Sequence, residues 1–145
     1  MFYGEHEHIL DKKNRLIIPA RFRDAVEELC IEKFYITRGL DKCLFMFAEP
    51  EWKLQENKFK SMSFTKKEVR KFRRMFFSGA SEAVPDKQWR VLVPDYLKQY
   101  AGLMKEIMII GVSNRIEIWD KDVWKNFYKT SKDSYEDIAE NLLDV

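Results

Sequence analysis

The sequence predicts an α+β domain, mainly β, in which two tandem hairpin units interleave into one pseudo-twofold barrel with short helices on its flanks. An internal repeat, short apolar runs broken by polar turn clusters, and a unit too small to bury a core alone lead to that fold. The repeat is the strongest of these. Moving the chain 75 positions onto itself sets Phe2, Gly4, Glu7, Asp11, Lys12, Arg15 and Pro19 on Phe77, Gly79, Glu82, Asp86, Lys87, Arg90 and Pro94. Leu16-Ile17-Ile18 then lies over Val91-Leu92-Val93. Further along the offset becomes 72, where Gly39 meets Gly111, Trp52 meets Trp124, and Leu44 and Met46 meet Ile116 and Ile118. The changed offset places a net length difference in the connection after the first short helix.

The elements follow in order. Phe2 to Leu10 and Arg15 to Ile18 read as strands around the polar cluster Asp11-Lys12-Lys13-Asn14, for which a hairpin is the simplest reading. Pro19 cannot donate to a ladder and suits a first helical turn, after which Phe22, Ala25, Val26 and Leu29 recur at helical spacing through Cys30. A second hairpin joins Phe34 to Arg38 and Cys43 to Phe47 about Gly39-Leu40-Asp41-Lys42. The second copy repeats the pattern with strands from Phe77 to Val84 and Arg90 to Val93, a helix from Asp95 to Ala101, and strands from Ile107 to Gly111 and Arg115 to Trp119 about Ser113-Asn114. Pro50 and Asp120 open a helix after each copy, through Trp52 and Trp124.

Two segments differ in character. Val69, Phe72 and Phe76 make an amphipathic helix from Thr65, its expected cap, with Glu68 three residues on. That helix carries Lys66, Lys67, Arg70, Lys71, Arg73 and Arg74. The end, Asp133 to Asp144, is acidic, with Ile138, Leu142 and Leu143 on one helical face. Such charge runs are either solvated faces or surfaces that dock copies or subunits. The chain therefore divides into a first half over 1–56, a basic linker helix over 57–76, a second half over 77–128 and an acidic C-terminal helix over 129–145. Units of this size bury too little surface to stand alone, so the copies need each other.

Composition bounds the function. The 145 residues are 46% hydrophobic and 34% charged, as in a soluble globular domain. With 26 basic against 24 acidic residues, any basic surface must be local. Cys30 and Cys43 suit neither a zinc cluster nor a disulfide framework, and no signal segment is evident near Met1, so a reducing cytoplasm is expected. The longest apolar stretches, such as Ile107 to Val112, fall short of the roughly 20 residues that cross a bilayer, and no membrane partner is expected.

The sharpest chemical signal is Asp11-Lys12-Lys13-Asn14-Arg15 with its twin Asp86-Lys87-Gln88-Trp89-Arg90, each followed by three apolar residues and proline. Arginine beside a hairpin turn can donate two parallel hydrogen bonds to guanine or phosphate, and a two-stranded ribbon fits a major groove. Lys12, Lys13 and Lys87 add charge for phosphates. Alternatively, Asp11 and Asp86 only satisfy turn amides while pairing with the arginines. Glu5-His6-Glu7-His8 puts two imidazoles on one strand face, but Ser81 and Ala83 replace them in the second copy and no third ligand has a matching spacing. No metal and no cofactor is expected. No phosphate loop, nucleophile elbow or Cys/His pair is present. Phe45, Phe47 and Trp119 read as core or interface, whereas Trp89 stands in a turn.

The doubled Asp-x-x-x-Arg, three apolar residues and proline, after an opening Phe-x-Gly, closely resembles the MraZ family of bacterial transcriptional regulators over essentially the whole chain. More loosely, each half resembles an AbrB-type unit. The resemblance implies a tandem AbrB-like fold, a double-psi or swapped-hairpin barrel, in a non-enzymatic, nucleoid-associated regulator. It also implies a closed ring of subunits on double-stranded DNA, at short G-rich direct repeats upstream of the division and cell-wall gene cluster holding its own gene. Carried over by position, the DNA-binding residues are Arg15, Arg90, Lys12, Lys13, Asn14, Lys87, Gln88, Arg23 and Lys98, with Asp11 and Asp86 as acidic members; Arg23 and Lys98 stand four residues after the motif prolines. Trp89 is bulky for a turn that must approach DNA. Two other readings remain: an AbrB-like antitoxin or transition-state-type regulator with a protein partner, for which the end from Asp133 is the tail candidate, and a metal-dependent enzyme built on His6 and His8.

Overall fold

The structure is a computed structural model and describes residues 1–143. Strand β1 (Phe2–Ile9) alternates, with Phe2, Gly4, His6 and His8 inward and Tyr3, Glu5, Glu7 and Ile9 outward. Strand β2 (Arg15–Ile17) buries Leu16 between exposed or half-exposed neighbours. Helix α1 (Ala20–Glu28) starts directly after Pro19 and buries Phe22, Ala25 and Val26. Strands β3 (Phe34–Arg38) and β4 (Leu44–Ala48) form an antiparallel hairpin. Helix α2 (Glu49–Lys60) has Pro50 in its first turn and lysines in its last, matching its dipole. There follow α3 (Lys67–Ser78), β5 (Ser81–Ala83), β6 (Arg90–Leu92) and α4 (Asp95–Ala101). The chain continues through β7 (Glu106–Ser113), β8 (Ile116–Asp120), α5 (Lys121–Ser131), a 3-10 turn over Lys132–Ser134 and α6 (Tyr135–Leu143).

The strands exchange partners between the copies. A six-stranded sheet runs β1-β7-β8-β4-β3-β5, while β2 and β6 form a separate two-stranded ribbon. Thus β1 of the first copy lies along β7 of the second, and β5 of the second lies along β3 of the first. One core results, drawing Phe2, Leu16, Phe22, Phe34 and Ile36 from one copy and Val91, Val93, Leu97, Ile107 and Ile118 from the other.

Several expectations are corrected. Among the described residues no closed barrel forms: β1 and β5 remain edges, and the ribbon is a sheet of its own. The fold is mixed α+β, with more residues in helices than in strands, rather than mainly β. Two local causes are visible. Pro19 and Pro94 end β2 and β6 after three residues each, because neither proline can donate to a continuing ladder. In the second copy, Phe77 and Ser78 belong to α3 instead of the strand expected from Phe77 to Val84, which leaves β5 only three residues long. Aromatic packing explains that choice. Phe76 stacks on Trp52 with ring centroids 5.5 Å apart, and Phe77 meets Phe59 and Trp52 edge-on.

The hairpin expected between β1 and β2 is a closed turn whose strands then part into different sheets. Helix α3 is capped at Lys66, not Thr65, and no side chain caps it; the Thr65 hydroxyl instead meets Ser63 at 2.6 Å. The basic linker is not one helix, since α2 runs on to Lys60 before a turn leads into α3. Asp144, the last residue of the expected acidic segment, lies outside the described residues. Among the described residues no helix is long and apolar enough to cross a membrane.

Candidate nucleic-acid interface

The two Asp-x-x-x-Arg turns flank one antiparallel ribbon, because β2 pairs with β6 and each turn leads into the strand that runs back past the other. In each turn the aspartate is the organiser. One Asp11 carboxylate oxygen accepts from the backbone N–H of Lys13 at 2.9 Å and of Arg15 at 2.8 Å, and the other accepts from Arg15 Nε at 2.8 Å. Asp86 repeats the set with Gln88 N at 2.8 Å, Arg90 N at 2.9 Å and Arg90 Nε at 2.8 Å. The backbone N–H of Arg15 and the guanidinium beside Asp11 hold its carboxyl below the usual carboxylate range, and Arg90 does the same for Asp86. Each aspartate thus both satisfies turn amides and holds the guanidinium of its arginine beside the turn.

Each turn is completed by the other copy. Asn14 (φ 60°) and Trp89 (φ 62°) occupy the left-handed region at matching positions. Val93 N–H donates to the Asn14 carbonyl at 2.8 Å, and Ile18 N–H donates to the Trp89 carbonyl at 2.7 Å. The side chains cross over in the same way. Lys98 Nζ donates to Asn14 Oδ1 at 3.2 Å, and the Arg23 guanidinium lies 5.6 Å from the centre of the Trp89 ring. Trp89 is half-buried against the core, so its bulk is directed inward. Arg23 also donates from Nε to the Ile18 carbonyl at 3.1 Å.

The sequence-derived candidates lie on the two turns, the ribbon and the helices that follow it, in two kinds of environment. Lys12, Lys13, Lys87 and Gln88 are exposed at the turn tips. Arg15 and Arg90 are about as exposed as each other, at 29% and 27% of the side chain, with Nε engaged by aspartate. Asn14, Arg23 and Lys98 are half-buried and face the opposite copy.

Sequence reasoning missed two members of this surface. The ladder sets Arg15 opposite Leu92 and Ile17 opposite Arg90, so the outer face of the ribbon alternates arginine with the exposed Ile17 and Leu92. The period-2 pattern of a strand carries that signal, since Leu16 and Val91 are both 1% exposed on the inner face.

His6 and His8 lie on the inner face of β1, where His6 packs edge-on against Phe22 at 4.9 Å. Burial, then His6 and Arg23, push the His8 imidazole below its ordinary value. Among the described residues no three His, Cys, Asp or Glu side chains are grouped to hold a metal ion.

A family model described as "MraZ protein, putative antitoxin-like" matches the chain twice, over residues 1–75 and 76–145. The chain belongs to the MraZ family. Both copies of the repeat therefore correspond to the MraZ unit, and the junction between the two matches falls inside α3. Membership makes the chain a transcriptional regulator of the MraZ type rather than an enzyme.

Proposed function

We propose that this chain is a sequence-specific DNA-binding regulator whose paired turns enter the major groove of duplex DNA. The ribbon face carries the reading. Arg15 and Arg90 stand diagonally on antiparallel strands, each held by aspartate through Nε, with the two terminal amino groups of the guanidinium left to donate outward. Diagonal neighbours on a strand pair are about 7–8 Å apart, roughly two base-pair steps. Each arginine can then make the bidentate contact to guanine O6 and N7 that reads G in a major groove. Lys12, Lys13 and Lys87 meet phosphates, Gln88 lies beside them, and Asn14, Arg23 and Lys98 hold the turns in shape.

The operator is a set of short G-rich direct repeats upstream of the division and cell-wall gene cluster that includes the chain's own gene, and the site of action is the cytoplasmic nucleoid. One monomer offers two turns only, and a lone contact of this kind binds weakly at physiological salt. A closed homo-oligomeric ring displaying the turns on one face engages successive repeats, and such linkage raises avidity by about 10^2 to 10^4.

The test is binding of wild type, Arg15→Ala and Arg90→Ala to DNA carrying the repeats and to a scrambled duplex. A lost bidentate contact is worth about 1–3 kcal/mol. Affinity for the repeats should therefore fall about 5- to 150-fold in each variant, with little change on scrambled DNA. Wild-type affinity for the repeats in both variants would overturn the reading.

A further inference from the structure

The last helix of the chain is built to be covered. Helix α6 buries none of its residues, and its one substantial neighbour is the 3-10 turn before it. Tyr135, Ile138, Leu142 and Leu143 are 71%, 49%, 76% and 66% exposed and fall on one side of the helix. Glu136, Asp137 and Glu140 occupy the remainder, and the helix has no basic residue. Elsewhere on the same chain lies the opposite surface. Phe64 and Phe77 line a groove whose rim is Arg70, Arg73 and Arg74 of α3. Arg70 also donates to the Phe64 and Thr65 carbonyls, at 3.0 Å each, which fixes the wall of that groove.

We propose that α6 of one subunit docks its apolar stripe into the Phe64/Phe77 groove of a second copy of this chain, with the acidic flank of α6 against the arginine rim. Two facts select a second copy as the occupant. An apolar stripe bordered by acid matches an apolar groove bordered by base, in both polarity and charge. Both surfaces also belong to every molecule. Because the two patches are different, the contact is head-to-tail, and a head-to-tail contact propagates until it closes into a ring. A nine-residue helix is about 13 Å long, so one junction is small beside the roughly 800 Å² per partner of a lasting interface. Assembly is therefore concentration-dependent, and ring closure, which gives each copy two junctions, stabilises it.

This inference rests on the ring assembly proposed above and names its joint. It is tested without DNA, by light scattering after size exclusion over a range of concentrations. The proteins are wild type, Arg73→Glu/Arg74→Glu, and Glu136→Lys/Asp137→Lys/Glu140→Lys. These side chains make no hydrogen bond within the described residues, so the variants should fold, as circular dichroism will show. Each variant alone should run at monomer mass where wild type is assembled, because both of its patches then carry the same sign. An equimolar mixture should regain the assembled mass, since every junction between unlike variants pairs opposite charges. Variants that keep the wild-type mass would overturn the inference while leaving the ring in place. A wild type that is monomeric throughout would overturn the ring itself along with its joint.

Discussion

Replacing Gly111 by alanine tests whether the exchange of strands between the copies holds the molecule together. Gly111 lies opposite Gly4 in the β1-β7 ladder, the longest pairing between the two copies. A Cβ at Gly111 would sit 2.4 Å from the Tyr3 amide nitrogen and 2.5 Å from the Phe2 carbonyl carbon. These are backbone atoms, so no side chain can swing aside, and the strands must separate by about 1 Å to restore ordinary contact. Separation stretches the flanking ladder bonds, each worth about 0.5–1.5 kcal/mol net, and draws Phe2 from its edge-on contact with Phe22 at 5.3 Å. Together with the overpacking itself the cost is about 2–4 kcal/mol. In a domain of this size that lowers the melting temperature by roughly 6–12 °C. Gly102→Ala is the control. Gly102 has φ 61° but nothing within 4 Å of an added Cβ, so it isolates backbone strain, about 1 kcal/mol. Thermal unfolding by circular dichroism reads both. If Gly111→Ala melts no lower than Gly102→Ala, the inter-copy ladder is not the stabilising element described.

Replacing Lys12, Lys13 or Lys87 by alanine should weaken binding to any DNA sequence and flatten the log-log salt dependence by about 0.9 per lost phosphate contact, measured by titration at several salt concentrations. Stability should fall on acidification in two stages. His8, whose folded value is depressed by burial, favours the fold while neutral; this contribution is present above its unfolded value near 6.5 and is lost as pH falls, and His8→Gln should flatten that stage. Asp11 and Asp86, also depressed, contribute above the unfolded carboxylate range near 4 and lose that contribution below it, so a second decline at lower pH should shrink in Asp11→Asn/Asp86→Asn. In the native protein a thiol reagent should label Cys30, which is exposed, and spare Cys43, whose thiol burial and then Glu117 and Asp41 push up; both should react after unfolding.

The repeat carried most of the local structure. Strand β3 over Phe34–Arg38 and helix α4 over Asp95–Ala101 lie where turn chemistry and periodicity placed them, because their neighbours are near in sequence. The failures come from contacts distant in sequence. Phe77 aligns with Phe2, yet it lies in the last turn of a helix and packs edge-on against Trp52 and Phe59, whereas Phe2 meets Phe22 and Phe34 from a strand. Nothing in the polar cluster after Leu10 says that β1 and β2 will pair with β7 and β6 instead of with each other. At the candidate site the motif turns were legible, but the crossing between copies was not. Arg23 and Lys98 stand out in the sequence only by their place after the motif prolines, and nothing there says that their side chains reach Trp89 and Asn14 of the opposite copy.

That crossing bears on what kind of operator the proposed surface can read. Neither turn is shaped by its own copy alone: Val93 and Lys98 hold Asn14, while Ile18 and Arg23 hold Trp89. The spacing of Arg15 and Arg90 is thus a property of the exchanged pair. The clamps, however, differ in chemistry. The first turn is held by an amide-lysine contact, with Asn14 Nδ2 also 3.4 Å from Asp95 Oδ1; the second is held by an indole under a guanidinium. Two identical turns related by a twofold would present the same contacts in opposite directions and favour a palindrome. Here the turn tips also differ, Lys12-Lys13 against Lys87-Gln88, so reversing the DNA beneath the ribbon places one fewer lysine over one strand. A reader of this kind gives each bound repeat a direction, and neighbours joined head to tail keep that direction from one repeat to the next. Inverting the middle repeat of three, with spacing unchanged, should therefore cost most of the avidity gained from it, and equal affinity for inverted and direct arrays would show that the two turns are read as equivalent.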